Sequence, residues 1–126
     1  MEQFMMYRKA VCFADFDTAG RIMEMVDVAQ IKALGREVKD YNETIWNGMR
    51  QIIVYEGLCA KFSQNLELRQ RLLATGDAVL AECAVKDRIW GIGLSMTDSN
   101  RLEIAKWQGK NLLGFTLMGV REKICS

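Results

Sequence analysis

The chain has 126 residues, half of them hydrophobic, with 17 basic and 16 acidic side chains and no histidine. This size and balance predict a single globular domain over residues 1–126, with a core that needs no metal or disulfide support. The net charge of +1 argues against the broad basic surface that binds duplex nucleic acid. Without histidine, Ser-His-Asp, Cys-His and His-metal mechanisms are closed, so any catalysis must use carboxylates, lysine, cysteine or tyrosine.

The four cysteines lie far apart and form no Cys-x-x-Cys motif: Cys12, Cys59, Cys83 and Cys125. They do not fit the usual zinc sites, and we expect neither a metal nor a cofactor. We interpret them as buried free thiols in a reducing cytoplasm. No apolar run is long enough to cross a bilayer, so no membrane partner is expected.

The chain opens inside a helical pattern, in which Met6, Ala10, Phe13 and an accompanying Phe16 form an apolar stripe. No capping residue precedes this helix, so its start looks abrupt, as though an upstream segment were missing. Glu2 and Lys9 lie two turns apart and therefore point the same way. On spacing alone, two exposed charges at the helix edge are the simpler interpretation. The alternative is a pair of functional groups that face one ligand.

A second helix is predicted to begin at Asp17 or Thr18. Further helices are predicted to begin at Asp27, Asn42, Asn65 and Asn111, each of which is a favourable N-cap residue. Before the last helix, Val79–Val85 has the composition of a strand. The sequence therefore predicts a helix-dominated α+β fold. Its short β element would lie directly before the turn that follows.

That turn contains a carboxylate, an indole and two glycines within a few residues, at Asp87, Trp90, Gly91 and Gly93. Glycine allows the main chain to approach a ligand closely, and tryptophan supplies a broad flat wall. A carboxylate beside such a wall can steer a polar substrate or transfer protons. Taken alone, these residues are explained more simply by a β-turn with a buried tryptophan.

Several motifs occur in a characteristic order along the chain. They are Glu2–Ala10, Lys61–Asn65, Leu72–Asp77, Glu82, Asp87–Gly93 and Trp107–Gly114. With these motifs, nearly the whole chain resembles the NADAR family, also called YbiA-like. Several motifs in the correct order are far more specific than any one of them alone.

Members of that family are N-glycosidases. Some cleave the bond between ribose and heterocycle in phosphoribosylated aminopyrimidines, which are early riboflavin-pathway intermediates, and others remove ADP-ribose from guanine. The resemblance implies a pocket for a small ribosylated, phosphorylated molecule. Its implied residues are Glu2, Lys9 and Asp87 for catalysis and Trp90, Gly91 and Asn111 for substrate binding, with no metal ligand.

The expected chemistry develops positive charge at the anomeric carbon, which assigns a hypothetical role to each implied residue. Asp87 would stabilise this charge, and Glu2 would act as general acid or base if burial raised its pKa. Lys9 would either hold a phosphate or attack the anomeric carbon as a neutral amine. Trp90 would stack on the base or ribose, while Asn111 and the N–H groups of its helix would hold a phosphate or a ribose hydroxyl.

The chain departs from the family pattern in one respect. Members usually carry an N-terminal segment with a Ser-Asn-Phe-Tyr-like motif, and no such motif precedes Glu2 here. We therefore expect an N-terminally short member. Two other interpretations follow, a non-catalytic nucleotide- or ADP-ribose-binding module and a helical interaction domain. The surface that a missing segment leaves exposed would favour a homo-oligomer.

Overall fold

A computed structural model describes residues 1–125, and within them it contains six α-helices. They are α1 (Glu2–Cys12), α2 (Phe16–Glu24), α3 (Val28–Arg36), α4 (Glu43–Gln64), α5 (Leu66–Ala74) and α6 (Leu112–Cys125), with short 3₁₀ helices at Ser99–Leu102 and Ile104–Lys106. The chain divides into two compact units, Met1–Leu58 and a second that begins at Cys59, so the division falls within α4. No helix among the described residues is long and apolar enough to span a membrane.

In the first unit, α1 packs against α2 and α3. The predicted stripe is confirmed for Met6 and Ala10, which are buried, and for Phe13, which packs against the core. It is wrong for Phe16, which begins α2 and is 67% exposed. Gly35 lets α3 approach α1 closely, because the Met6 side chain occupies the space that a Cβ at position 35 would need. The core residues are Met6, Ala10, Ala19, Ile22, Ile31, Leu34, Val38, Trp46 and Ile53.

Side-chain caps begin the helices where the sequence predicts them. Asn42 Oδ1 accepts a hydrogen bond from Ile45 N at 3.0 Å, and Asn65 Oδ1 accepts one from Leu68 N at 3.1 Å. Asp27 caps α3 in the same way. Each cap satisfies a main-chain N–H that has no partner within its own helix. Three of the five predicted helix starts therefore have the expected side-chain cap. The start predicted at Asp17 or Thr18 is wrong, because α2 begins at Phe16 and its cap is Asp15.

The prediction of a short strand over Val79–Val85 is wrong, because no strand occurs among residues 1–125. A strand needs a repeated ladder of main-chain hydrogen bonds to a neighbouring strand. Here the main chain makes single bonds instead. Glu82 O accepts from Ile92 N at 2.9 Å, and two other groups of the segment bond to the Asn111 side chain. The described fold is helix-dominated without a sheet.

In the second unit, two arginines tie α5 and α6 to each other and to the connection between them. Arg69 Nη2 donates to Ile124 O at 2.9 Å. Arg121 Nη1 donates to Thr75 Oγ1 at 2.8 Å and to Ala78 O at 2.9 Å. The bonds from Arg121 fix the start of the long connection that carries the predicted site residues of this unit.

The four cysteines are free, as predicted, but their burial differs from the prediction. Cys12, Cys59 and Cys83 are only half-buried, and Cys125 is exposed. The apolar patterns around these residues indicated burial, but those patterns do not fix how far each side chain turns toward the core.

Candidate active site

Lys9 lies over two aromatic rings in the first unit. Its Nζ is 4.5 Å from the ring centroid of Tyr41 and 5.9 Å from that of Trp46. Burial, together with the positive charge of Arg36, lowers the pKa of Lys9, whereas the aromatic faces favour the ammonium form. No carboxylate among residues 1–125 forms an ion pair with Lys9. We call Lys9, Arg36, Tyr41 and Trp46 the Lys9 cluster.

The loop that carries Tyr41 is held by the N-cap of α2. The buried Asp15 carboxylate accepts hydrogen bonds from Lys39 N at 3.0 Å and from Thr18 N at 3.2 Å. The hydrogen bond from the Lys39 N–H has the largest effect, and together with the hydrogen bonds from Thr18 it holds the pKa of Asp15 below its ordinary value. The Tyr41 ring also meets Phe13 edge-on at 5.5 Å between centroids. One aromatic wall of the Lys9 cluster is thus fixed by a helix cap.

Glu2 lies two turns before Lys9 on α1, is half-buried, and lines a cavity of about 360 Å³. The cavity lies between the first turn of α1 and the connection from α2 to α3. Beside Glu2, Gln3 Nε2 donates to Ile22 O at 3.1 Å and to Met25 O at 2.9 Å. Gln3 therefore satisfies carbonyl groups at the end of α2 and fixes the rim of this cavity.

Asp87 forms a side-chain turn in the second unit. Its Oδ1 accepts hydrogen bonds from Ile89 N at 3.0 Å and Trp90 N at 2.8 Å. Its Oδ2 receives no hydrogen bond from residues 1–125. Asp87 and Trp90 are both half-buried. The predicted turn is therefore present, with one carboxylate oxygen committed to it and the other available. We call residues 87–93 the Asp87 loop.

The glycines of the Asp87 loop allow it to pack against its own main chain. A Cβ on the buried Gly91 would lie 2.8 Å from Asp87 O and 2.9 Å from Glu82 O. Gly93 has φ +74°, a left-handed conformation that favours glycine. Close approach is thus required at Gly91, as the sequence predicts, but in the structure the approaching atoms belong to the chain itself.

Asn111 directly precedes α6, at the predicted N-cap position, but its side chain bonds elsewhere. It is fully buried; its Oδ1 accepts from Glu82 N at 2.9 Å and its Nδ2 donates to Leu80 O at 2.8 Å. The first N–H groups of α6 are also occupied, since Leu112 N and Leu113 N donate to main-chain carbonyl groups of the Asp87 loop. The groups predicted to hold a phosphate are therefore bonded within the protein.

The structure thus places the predicted site residues in two groups. Asp87, Trp90, Gly91 and Asn111 form one hydrogen-bonded assembly in the second unit. Glu2 and Lys9 share α1 in the first unit.

Sequence reasoning missed the groups around Lys9. Tyr41 and Trp46 flank the N-cap Asn42, a spacing that indicates packing at a helix start and gives no sign of a lysine between the rings. Arg36 carried no signal at all. These contacts depend on tertiary packing, which brings α1 beside the start of α4.

Comparison with known proteins identifies the family. A model of the NADAR domain matches residues 1–125. The chain belongs to the NADAR family. The match extends over both compact units, so the predicted family is confirmed for the whole described chain.

Three curated relatives illustrate the range of similarity. This NADAR chain is 46% identical to an N-glycosidase of Acanthamoeba polyphaga mimivirus over 97% of its own length and 72% of the relative. It is 33% identical to a riboflavin biosynthesis protein of Vibrio vulnificus over 94% of its length and 29% of the relative. It is 34% identical to N-glycosidase YbiA of Escherichia coli over 72% of its length and 50% of the relative. The chain thus spans only part of each of these proteins.

These relationships also bear on the predicted chemistry. Two of the three relatives are N-glycosidases by name, one of them at 46% identity over most of this chain. The prediction of an N-glycosyl hydrolase is therefore confirmed at the level of the family.

Proposed function

We propose that this NADAR chain hydrolyses the N-glycosidic bond between ribose and a base. The substrate is a phosphoribosylated aminopyrimidine of the riboflavin pathway or an ADP-ribosylated guanine. The names of the relatives support the bond type, and the riboflavin biosynthesis protein supports the first substrate class. Both classes share a ribose with an attached phosphate, and this shared part is what we expect the protein to bind.

The observation that carries this proposal is the Lys9 cluster. Lys9 and Arg36 bring two positive groups close enough for one to lower the pKa of the other, and no carboxylate among the described residues pairs with Lys9. Such a site favours an anion such as a phosphate. The lowered pKa of Lys9 also increases the fraction of neutral amine, the form that attacks carbon. Tyr41, which is 44% exposed, offers part of a ring face to a sugar or base.

In the reaction, the bond between C1′ of ribose and the base nitrogen breaks, and its electron pair leaves with the base. The base nitrogen then takes a proton, for which Glu2 is the proposed donor. Positive charge develops on C1′ and the ring oxygen, and the available Oδ2 of Asp87 would stabilise it. A water molecule adds hydroxide to C1′ and returns its remaining proton to the donor.

Lys9 has two possible roles in this scheme. It either holds the phosphate as an ammonium ion, or its neutral amine forms a bond to C1′ as the base departs. In the second route the sugar ring opens to a Schiff base, and water then releases the sugar and restores the amine. Both routes give the same free sugar and free base.

The experiment is turnover of both substrate classes, followed by mass spectrometry of the released base and sugar. We expect wild-type chain to release both products in equal amounts and Lys9→Gln to lose about 10²–10³ in rate. Lys9→Arg separates the routes, because it keeps the positive charge and removes the attacking amine. Borohydride would trap a Schiff base as a stable adduct on Lys9. Lys32→Arg, at an exposed lysine of α3, is the matched control.

A binding module without catalysis is the second candidate. It is favoured by the engagement of Asp87 Oδ1 and of both amide atoms of Asn111 within the protein. Saturable binding of ADP-ribose or ribose 5-phosphate with no product release would support this candidate and overturn the proposed hydrolysis.

A further inference from the structure

Among the polar side chains that the structure describes in the second unit, that of Asn111 is the most deeply buried. It has no exposed surface, and both of its amide atoms bond to the main chain of one short segment, at Leu80 and Glu82. A ligand could reach either atom only by displacing one of these hydrogen bonds. Both hydrogen bonds are partly buried, and giving one up leaves the main-chain group of Leu80 or Glu82 without this partner, so such displacement is opposed.

The surroundings of Asn111 are shaped to keep this amide in place. Its φ of +53° is left-handed, a conformation that asparagine tolerates better than most residues. One helical turn later, Gly114 leaves the necessary room, because a Cβ there would collide with Leu80 O and with the Asn111 amide. Backbone, side chain and neighbouring glycine all agree with an internal role.

The same residue stands at the junction with the Asp87 loop. Asn111 N donates to Gly91 O at 3.0 Å, and Leu112 N and Leu113 N donate to Ile89 O and Trp90 O, each at 3.1 Å. The loop is therefore attached directly to the first turn of α6. Residues 80–82, to which the Asn111 amide is hydrogen-bonded, are also attached to the Asp87 loop, through the hydrogen bond from Ile92 N to Glu82 O.

We propose that Asn111 is a positioning residue, which fixes the Asp87 loop by holding residues 80–82 against the start of α6 and does not contact the substrate. The inference rests on the proposed function for its catalytic consequence. Its structural content stands apart from turnover, because it predicts which hydrogen bonds persist in the free protein.

The first test uses the wild-type chain without ligand. The side-chain amide protons of Asn111, followed by NMR, are expected to exchange with water at least about 10- to 100-fold more slowly than those of the exposed Asn100. Equal exchange rates would show that the enclosed amide does not exist in solution and would overturn the proposal.

The second test is Asn111→Asp, which keeps the size of the side chain and an acceptor for Glu82 N. It replaces the donor to Leu80 O by an oxygen. We expect main-chain exchange over residues 80–93 to accelerate about 10- to 100-fold, with a loss in kcat larger than any change in KM. Asn100→Asp, the same change at an exposed position, is expected to alter neither quantity.

The outcomes separate this inference from the proposed function. A wild-type chain without turnover but with a protected Asn111 amide would end the proposed hydrolysis and leave the positioning role standing. Loss of turnover in Asn111→Asp with unchanged exchange over residues 80–93 would assign Asn111 to the substrate and overturn the inference. If Asn111→Asp fails to fold, Asn111→Gly replaces it, because glycine keeps the left-handed backbone and removes the side-chain amide. Faster main-chain exchange over residues 80–93 in that variant would support the positioning role, and unchanged exchange would overturn it.

Discussion

Opposing influences act on the charge of Lys9. Burial and Arg36 disfavour the ammonium ion, and the rings of Tyr41 and Trp46 favour it. The net result is a lowered pKa of Lys9. Because the unfolded chain binds this proton more tightly than the folded chain, protonation of Lys9 lowers the free energy of unfolding. This cost is fully present below the lowered pKa. It disappears as the pH rises from there to the ordinary value of 10.5.

We therefore expect Lys9→Met to raise the Tm at pH 7, because methionine keeps the apolar contact with the rings and removes the charge. The gain should shrink as the pH approaches 10.5. Thermal unfolding across this pH range measures both effects. Lys32→Met, at an exposed position of α3, serves as the control and should show no such trend. A Tm below that of the wild type at pH 7 would contradict this account of Lys9.

The Asp87 carboxylate offers a second test at the scale of one residue. Asp87→Asn keeps an Oδ1 acceptor for Ile89 N and Trp90 N, so the turn and the Tm should be retained. The charge proposed to stabilise the transition state is lost. We expect turnover to fall about 10²–10³-fold. Substrate turnover and thermal unfolding of the same sample check both parts, and full activity would remove Asp87 from the mechanism.

Among the elements, α4 depends on a cap that the sequence makes visible. Asn42→Ala removes the acceptor for Ile45 N and should lower the free energy of unfolding by about 1 kcal/mol. Asn47→Ala is the matched control, since Asn47 is exposed inside the same helix and alanine is the better helix former there. Chemical denaturation measures both variants. Equal effects at the two positions would mean that the cap does not stabilise α4.

The contrast between caps and the absent strand explains how far the sequence could be interpreted. Asn42 and Asn65 act within three residues of themselves, so local sequence contains everything that their hydrogen bonds need. Val79–Val85 has strand-like composition, but a strand also requires a partner elsewhere in the chain. Asn111 has the residue type and position of a cap, yet tertiary packing turns its amide toward Leu80 and Glu82.

The candidate site follows the same division. Family motifs pointed to residues such as Lys9 and Asp87, while the order of motifs could not reveal their surroundings. The rings beside Lys9 and the occupied N–H groups at the start of α6 arise from contacts between distant parts of the chain. Predicting such contacts requires the fold itself.

For the whole molecule, the family match runs through both compact units. It does not decide whether they act as a single domain, and that expectation stays a prediction, as does a homo-oligomer. The curated relatives described above extend beyond the matched region by different amounts. The activity of the whole protein is therefore best tested through chemistry that the residues of this chain supply.

Metal independence is such a test. The sequence has no histidine, and residues 1–125 contain no group of three or more Cys, Asp or Glu side chains placed to hold a metal ion. The proposed hydrolysis takes its proton and its charge stabilisation from carboxylates and lysine. We therefore expect prior treatment with EDTA to leave turnover unchanged. The phosphates of the substrate also bind Mg²⁺, so EDTA could change turnover by removing Mg²⁺ from the substrate. The amount of Mg²⁺ needed to reverse such a change would scale with the substrate concentration and not with the protein concentration. Loss of turnover in EDTA that one equivalent of a divalent cation per chain restores would place a metal in the reaction and contradict the proposed mechanism.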